Sequence, residues 1–139
     1  MLEKHFKNFL DSIQALQLVL LDVIDESILP IDKLDTIKNM LEELLQEIRK
    51  DKPNKDVLKK HFIKLYKLAT YYKVFIDEDE REFIDQILDE RKLKKIESIL
   101  DIIFNRLDIP KIKNTVEAVI HELLIEFRNS GSGERDGLH

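Results

Sequence analysis

Four histidines, many carboxylates and a run of lysines are the groups in this 139-residue chain that could carry chemistry. His5, His61, His121 and His139 include no i, i+4 pair, so no helix presents two imidazoles to one zinc ion. Glu117, His121 and Glu122 come nearest to a ligand group. A carboxylate-bridged metal bundle uses Glu-x-x-His, an i, i+3 spacing, in two copies. Glu117 and His121 are four apart and have no second copy, so His121 reads as a rim histidine, and no metal is expected. Ser12, Ser27, Ser98, Ser130 and Ser132 lie outside any G-x-S-x-G elbow. The three glycines, Gly131, Gly133 and Gly137, all fall in the last nine residues. The preceding 130 residues therefore lack the glycine-rich turns that cradle phosphates and dinucleotides. With no cysteine there is no thiolate ligand and no disulfide framework. The carboxylates fall mostly at polar helical positions, so no acid–base pair can be singled out. These readings predict no catalytic residue and no cofactor.

The lysines carry the most specific pattern. Residues 49–73 hold Arg49, Lys50, Lys52, Lys55, Lys59, Lys60, Lys64, Lys67 and Lys73 against Asp51 and Asp56, a net charge of +7. Residues 77–90 hold eight acids against Arg81, a net charge of −7. Lys60, Lys64, Lys67 and Tyr71 recur at helical spacing on one face, with Lys59 beside them. Such a row with an adjoining aromatic can follow a phosphate backbone or meet an acidic protein. It can also be a solvated face, neutralised by the acidic segment that follows. The outcome depends on where the acidic helix packs.

These groups must be positioned by helices, because 3.6-residue apolar periodicity runs from end to end. Helix one is expected over about Leu2 to Ser27, with Phe6, Phe9, Leu10, Ile13, Leu16, Leu20 and Ile24 as its stripe and Leu29-Pro30 as its stop. Helix two spans about Asp32 to Lys50 on Leu34, Ile37, Leu41, Leu44 and Ile48. Asp51-Lys52-Pro53-Asn54 forms a turn with Asn54 as N-cap. Helix three runs from Lys55 to Lys73 on Leu58, Phe62, Leu65, Ala69 and Tyr72. Helix four follows the acidic run to about Glu90, burying Phe83, Ile84, Ile87 and Leu88. Helix five covers Lys92 to Leu107 on Leu93, Ile96, Ile99, Leu100, Ile103 and Leu107. Helix six covers Lys111 to Arg128 on Ile112, Val116, Val119, Leu123 and Phe127. Val74-Phe75-Ile76 is the only β-like triplet and is too short to build a sheet. Phe9, Ile13, Leu20, Leu41, Leu44, Phe62, Leu65, Ile99, Ile103, Val119 and Leu123 form the expected core.

Leu18, Val19, Ile102 and Ile125 fall off their stripes and are the candidates for an apolar interface. Burial of helix one on several sides within a monomer would account for some of them equally well.

The predicted fold is all-α, a compact bundle of five or six antiparallel helices over residues 1–130. Residues 131–139 read as a flexible linker, the stub of a tag or a natural disordered end. Apolar residues at 43% allow a real core, while 37% charged residues argue against a membrane-embedded chain. The longest wholly apolar run is Leu18-Val19-Leu20-Leu21, far short of a span. No secretory signal opens the chain, so a cytoplasmic location is expected. The net charge of −5 gives no long-range pull on nucleic acid. The leading expectation is a non-enzymatic module that binds a protein partner or itself. The alternative is a nucleic-acid-binding accessory protein that uses the helix-three lysines.

Overall fold

The computed structural model describes residues 2–25, 31–73 and 78–129. The tail, the Val74-Phe75-Ile76 triplet, the Leu29-Pro30 stop, and the side chains of Ile24 and Phe83 lie outside that description. The helices are α1 (Leu2–Asp25), α2 (Ile31–Ile48), α3 (Lys55–Tyr72), α4 (Glu78–Asp85), α5 (Leu93–Phe104) and α6 (Pro110–Arg128). A 3-10 turn, Glu90–Lys92, precedes α5. No strand occurs among the described residues, and no helix there is long and apolar enough to cross a membrane.

The helices form a ring around one core. α1 packs on α5 and α3, α5 on α3, α3 on α2, and α2 on α6. The ring is thin only between α6 and α1, where contact is slight. The stripes of α2 and α3 are buried throughout, from Leu34 to Ile48 and from Leu58 to Tyr72. Two other stripes are rotated from their expected positions. On α1 the buried arc is Phe9, Ile13, Ala15, Leu16, Val19, Leu20 and Val23, whereas Leu10 is 37% exposed. A helix wedged between two neighbours needs an arc wider than one stripe, and α6 barely covers the Leu10 side. On α6 the core takes Ile120 and Leu124 while Val119 is only half buried, so Val119 drops out of the expected core.

Helix ends follow local chemistry. Asn54 caps α3, its Oδ1 accepting from the Asp56 amide at 2.9 Å and the Val57 amide at 3.3 Å. Pro110 opens α6, where its missing N–H costs nothing. α4 stops at Asp85 rather than continuing to Glu90. The Thr70 hydroxyl takes the Leu88 carbonyl at 3.0 Å. The Lys92 ammonium binds the carbonyls of Asp85 and Gln86, which a helix end leaves free. The Asp89 carboxylate then accepts the Arg91 amide at 2.7 Å and starts the 3-10 turn.

The turn between α2 and α3 is clasped by Glu47. Its carboxylate accepts the Asn54 amide at 2.8 Å and the Lys50 ammonium at 3.0 Å. Those bonds, the Asn54 amide first, hold its carboxyl below the ordinary 4.5 against the opposing effect of burial. A depressed folded pKa means the stabilisation is complete above about pH 4.5 and is lost as pH falls through the folded value. Glu47→Gln is therefore expected to flatten the acid-side fall of the thermal midpoint between about pH 5 and 3. An unchanged slope in calorimetric scans would show that the clasp contributes nothing.

Candidate interaction surface

α3 buries one face against α1, α2 and α5, which leaves the opposite face to solvent. At 3.6 residues per turn, Lys60, Lys64, Lys67 and Tyr71 share an arc of about 60°. All four are exposed, Tyr71 at 67%. The other cations of the +7 segment are mostly engaged. Arg49 binds Glu117 at 2.9 Å, Lys50 binds Glu47, Lys55 donates to the Asn105 side chain at 2.6 Å, and Lys73 meets Asp85 at 2.8 Å. Lys59 reaches across to Asp101 of α5 at 2.9 Å, and that bond raises its pKa. Lys59 thus belongs to the α3–α5 joint rather than to the open row. Among the described residues no acid pairs with Lys60, Lys64 or Lys67.

The acidic helix does not neutralise the row. Asp85 is tied to Lys73, and the Leu88 carbonyl to Thr70, which fixes the C-terminal side of α4 at the end of α3. Glu78, Asp79, Glu80 and Glu82 are exposed. Among the described residues no base pairs with Glu78, Asp79 or Glu82. No ion pair among the described residues therefore joins the positive row to the negative one.

Beside the positive row lies an apolar recess of about 300 Å³, formed by Met40 of α2, Leu68 of α3 and the stems of Lys64 and Lys67. Met40 and Leu68 are half buried and pack against the core from outside. The recess arises from the meeting of two helices, so neither helix alone signals it. One hint was present, because Leu68 falls off the α3 stripe one turn after Lys64.

The expected apolar interface does not survive as a group. Val19 is fully buried among core side chains and is unavailable to a partner, a correction that follows from the wide buried arc of α1. Leu18 packs half buried against the core, Ile102 is half buried, and Ile125 is 37% exposed. A separate apolar groove of about 360 Å³ runs along the thin α1–α6 joint between Leu10, Ile13, Ala118, Val119 and Leu123. The Gln17 amide bonds the Glu126 carboxylate at its side. Burial and the neighbouring Glu122 raise the Glu126 pKa.

The remaining candidates do not gather into a site among the described residues. Glu117 is held by Arg49, and His121 and Glu122 are exposed. His61 sits 2.7 Å from Glu43. No group of three or more His, Asp or Glu side chains among the described residues is placed to hold a metal ion. A cavity of about 210 Å³ between α1 and α5 is lined by Asp11, Ser12 and Lys92 over an apolar floor. Asp11 pairs with Lys7, Ser12 donates to the Asn8 carbonyl, and Lys92 closes α4. The lysine row with its recess is the open surface that joins an apolar recess to exposed cations with no acid partner among the described residues. No known protein family, curated protein or solved structure matches the chain, so the meaning of that surface rests on its own chemistry.

Proposed function

We propose that the chain is a non-enzymatic interaction module whose α3 face receives an acidic, amphipathic segment of a partner protein. The observation that carries this reading is the Met40–Leu68 recess opening directly beside the unpaired Lys64 and Lys67. An apolar side chain seated in the recess supplies affinity through burial. Carboxylates one turn to either side meet the ammonium row and set register and encounter rate. A phosphate backbone would use the lysines but leave the recess empty. The net charge of −5 also disfavours a polyanion at long range.

Nucleic-acid binding stays as the second reading, because Tyr71 stands exposed at the end of the row where a base could stack. A labelled acidic peptide of about 18 residues, long enough to form a helix and carrying two leucines one turn apart, separates the two readings. The full chain is expected to bind it. Lys60/Lys64/Lys67→Glu should weaken binding about 100-fold, a loss near 2.8 kcal/mol. Leu68→Glu should also weaken it, and the full chain should show no submicromolar oligonucleotide binding if the recess is the anchor. Submicromolar binding of single- or double-stranded oligonucleotide at low salt, lost in the triple variant, would transfer the row to nucleic acid. In that case affinity should fall steeply with salt, with a log–log slope of about −0.7 to −0.9 per phosphate engaged.

A further inference from the structure

We infer that the acidic segment which fits the α3 face is α4 of a second copy of this chain, and that the protein pairs with itself through its two charged rows. This inference rests on the reading of the α3 face as a protein-binding surface. Its first support is charge complementarity. Lys60, Lys64 and Lys67 stand exposed on α3 with no acid partner among the described residues, and Glu78, Asp79 and Glu82 stand exposed on α4 with no basic one. Its second support is spacing. Lys60 and Lys64 lie one turn apart on one face, and so do Glu78 and Glu82. One carboxylate row laid along one ammonium row therefore brings two successive pairs into register over roughly 6 Å of helix.

The third support is that the two rows do not pair with each other within one chain among the described residues. The Lys73–Asp85 ion pair at 2.8 Å and the Thr70–Leu88 hydrogen bond at 3.0 Å hold the C-terminal side of α4 to the last turn of α3. Among the described residues no ion pair joins the α3 lysines to the α4 carboxylates of the row, although the two helices are neighbours in sequence. Pairing between copies resolves the mismatch twice. In a twofold dimer each copy gives its lysine row and receives its partner's acidic row, so two equivalent contacts form together. The Met40–Leu68 recess lies against the same row, at the edge of the charge contact. The exposed ion pairs are individually weak and salt-sensitive, so the pairing is expected to be reversible.

The test is a charge exchange read by light scattering or sedimentation on the full chain. At low salt the wild type is expected to approach twice the 16.5 kDa chain mass as concentration rises, and to return towards 16.5 kDa in about 0.5 M salt. Lys60/Lys64/Lys67→Glu and Glu78/Asp79/Glu82→Lys should each be monomeric, because each then carries two rows of one sign. Mixing the two variants should restore the dimer, since every row again meets its opposite. All six positions are exposed, so circular dichroism should show both variants folded. A wild type that stays at 16.5 kDa at low salt and about millimolar concentration would overturn the inference. So would variants that still dimerise, or a mixture that stays monomeric. Loss of the acidic peptide by the lysine variant in a monomeric protein would leave the interaction-module reading standing while this inference fails.

Discussion

Phe62→Ala is expected to lower the unfolding free energy by about 3–5 kcal/mol. Phe62 is fully buried on α3 at the point where three helices meet. Its ring lies 6.0 Å from Phe9 of α1 in an edge arrangement and 5.7 Å from Phe104 of α5 in a tilted one. Phe9 and Phe104 themselves meet at 6.3 Å. Removing the ring leaves a cavity whose walls belong to three helices, each held by other contacts, so the site cannot close. It also removes two ring–ring pairs, each worth about 0.5–1.5 kcal/mol beyond area burial. Against a typical total of about 5–15 kcal/mol the loss is large. Chemical denaturation should show a much lower midpoint with an unchanged slope. A midpoint within error of wild type would mean that the α1–α3–α5 junction is not where the core is held together.

The second large effect is at Val19. Val19→Asp should cost more than about 4 kcal/mol, enough to leave much of the chain unfolded. Val19 has no exposed surface, and the residues around it are apolar, so an introduced carboxylate finds neither water nor a cation. Ile125→Asp places the same group on the 37% exposed position of α6 and should change stability by no more than about 0.5 kcal/mol. The contrast separates two readings of an off-stripe apolar residue. If Val19 served a partner rather than the core, the isolated chain would tolerate the aspartate and lose only binding. Thermal scans of the two variants side by side decide the matter.

The difference between those positions explains what the sequence could and could not reveal. α2 and α3 each offer the core a single face, so their stripes from Leu34 to Ile48 and from Leu58 to Tyr72 were legible from spacing alone. α1 lies between α3 and α5, and its buried arc takes in Ala15, Val19 and Val23 on one side while releasing Leu10 on the other. No local pattern reveals how many neighbours a helix will have. In α6 the run Ala118-Val119-Ile120 is apolar at every position, so the phase of the stripe was ambiguous by one residue, and Ile120 rather than Val119 points inward. The open lysine row was legible because exposure on a helix follows from its opposite face. The capture of Lys59 was not, because Asp101 lies 42 positions away along the chain. The Met40–Leu68 recess was hidden for the same reason, since it belongs to a pair of helices and to neither one. α4 ends at Asp85, short of the expected Glu90, where the Thr70 hydroxyl and the Lys92 ammonium, both distant from the local pattern, bind the carbonyls of Leu88, Asp85 and Gln86.

The thin joint between α1 and α6 has a consequence for how the protein is made. Gln17 and Glu126, which bond across it, are separated by 109 positions. At about 5–20 residues per second, a ribosome needs on the order of 5–20 s to deliver the second after the first. The α5 face that covers much of α1 emerges earlier, but still long after Phe9, Leu16 and Val19 have been made. During that interval the most continuous apolar arc of the chain has no α5 or α6 to cover it. The order of synthesis thus places the helix that most needs shelter first and the helix that closes the ring last. The nascent chain must keep that arc from other chains, by early docking on α3 or by a chaperone's grip, until the final helix arrives.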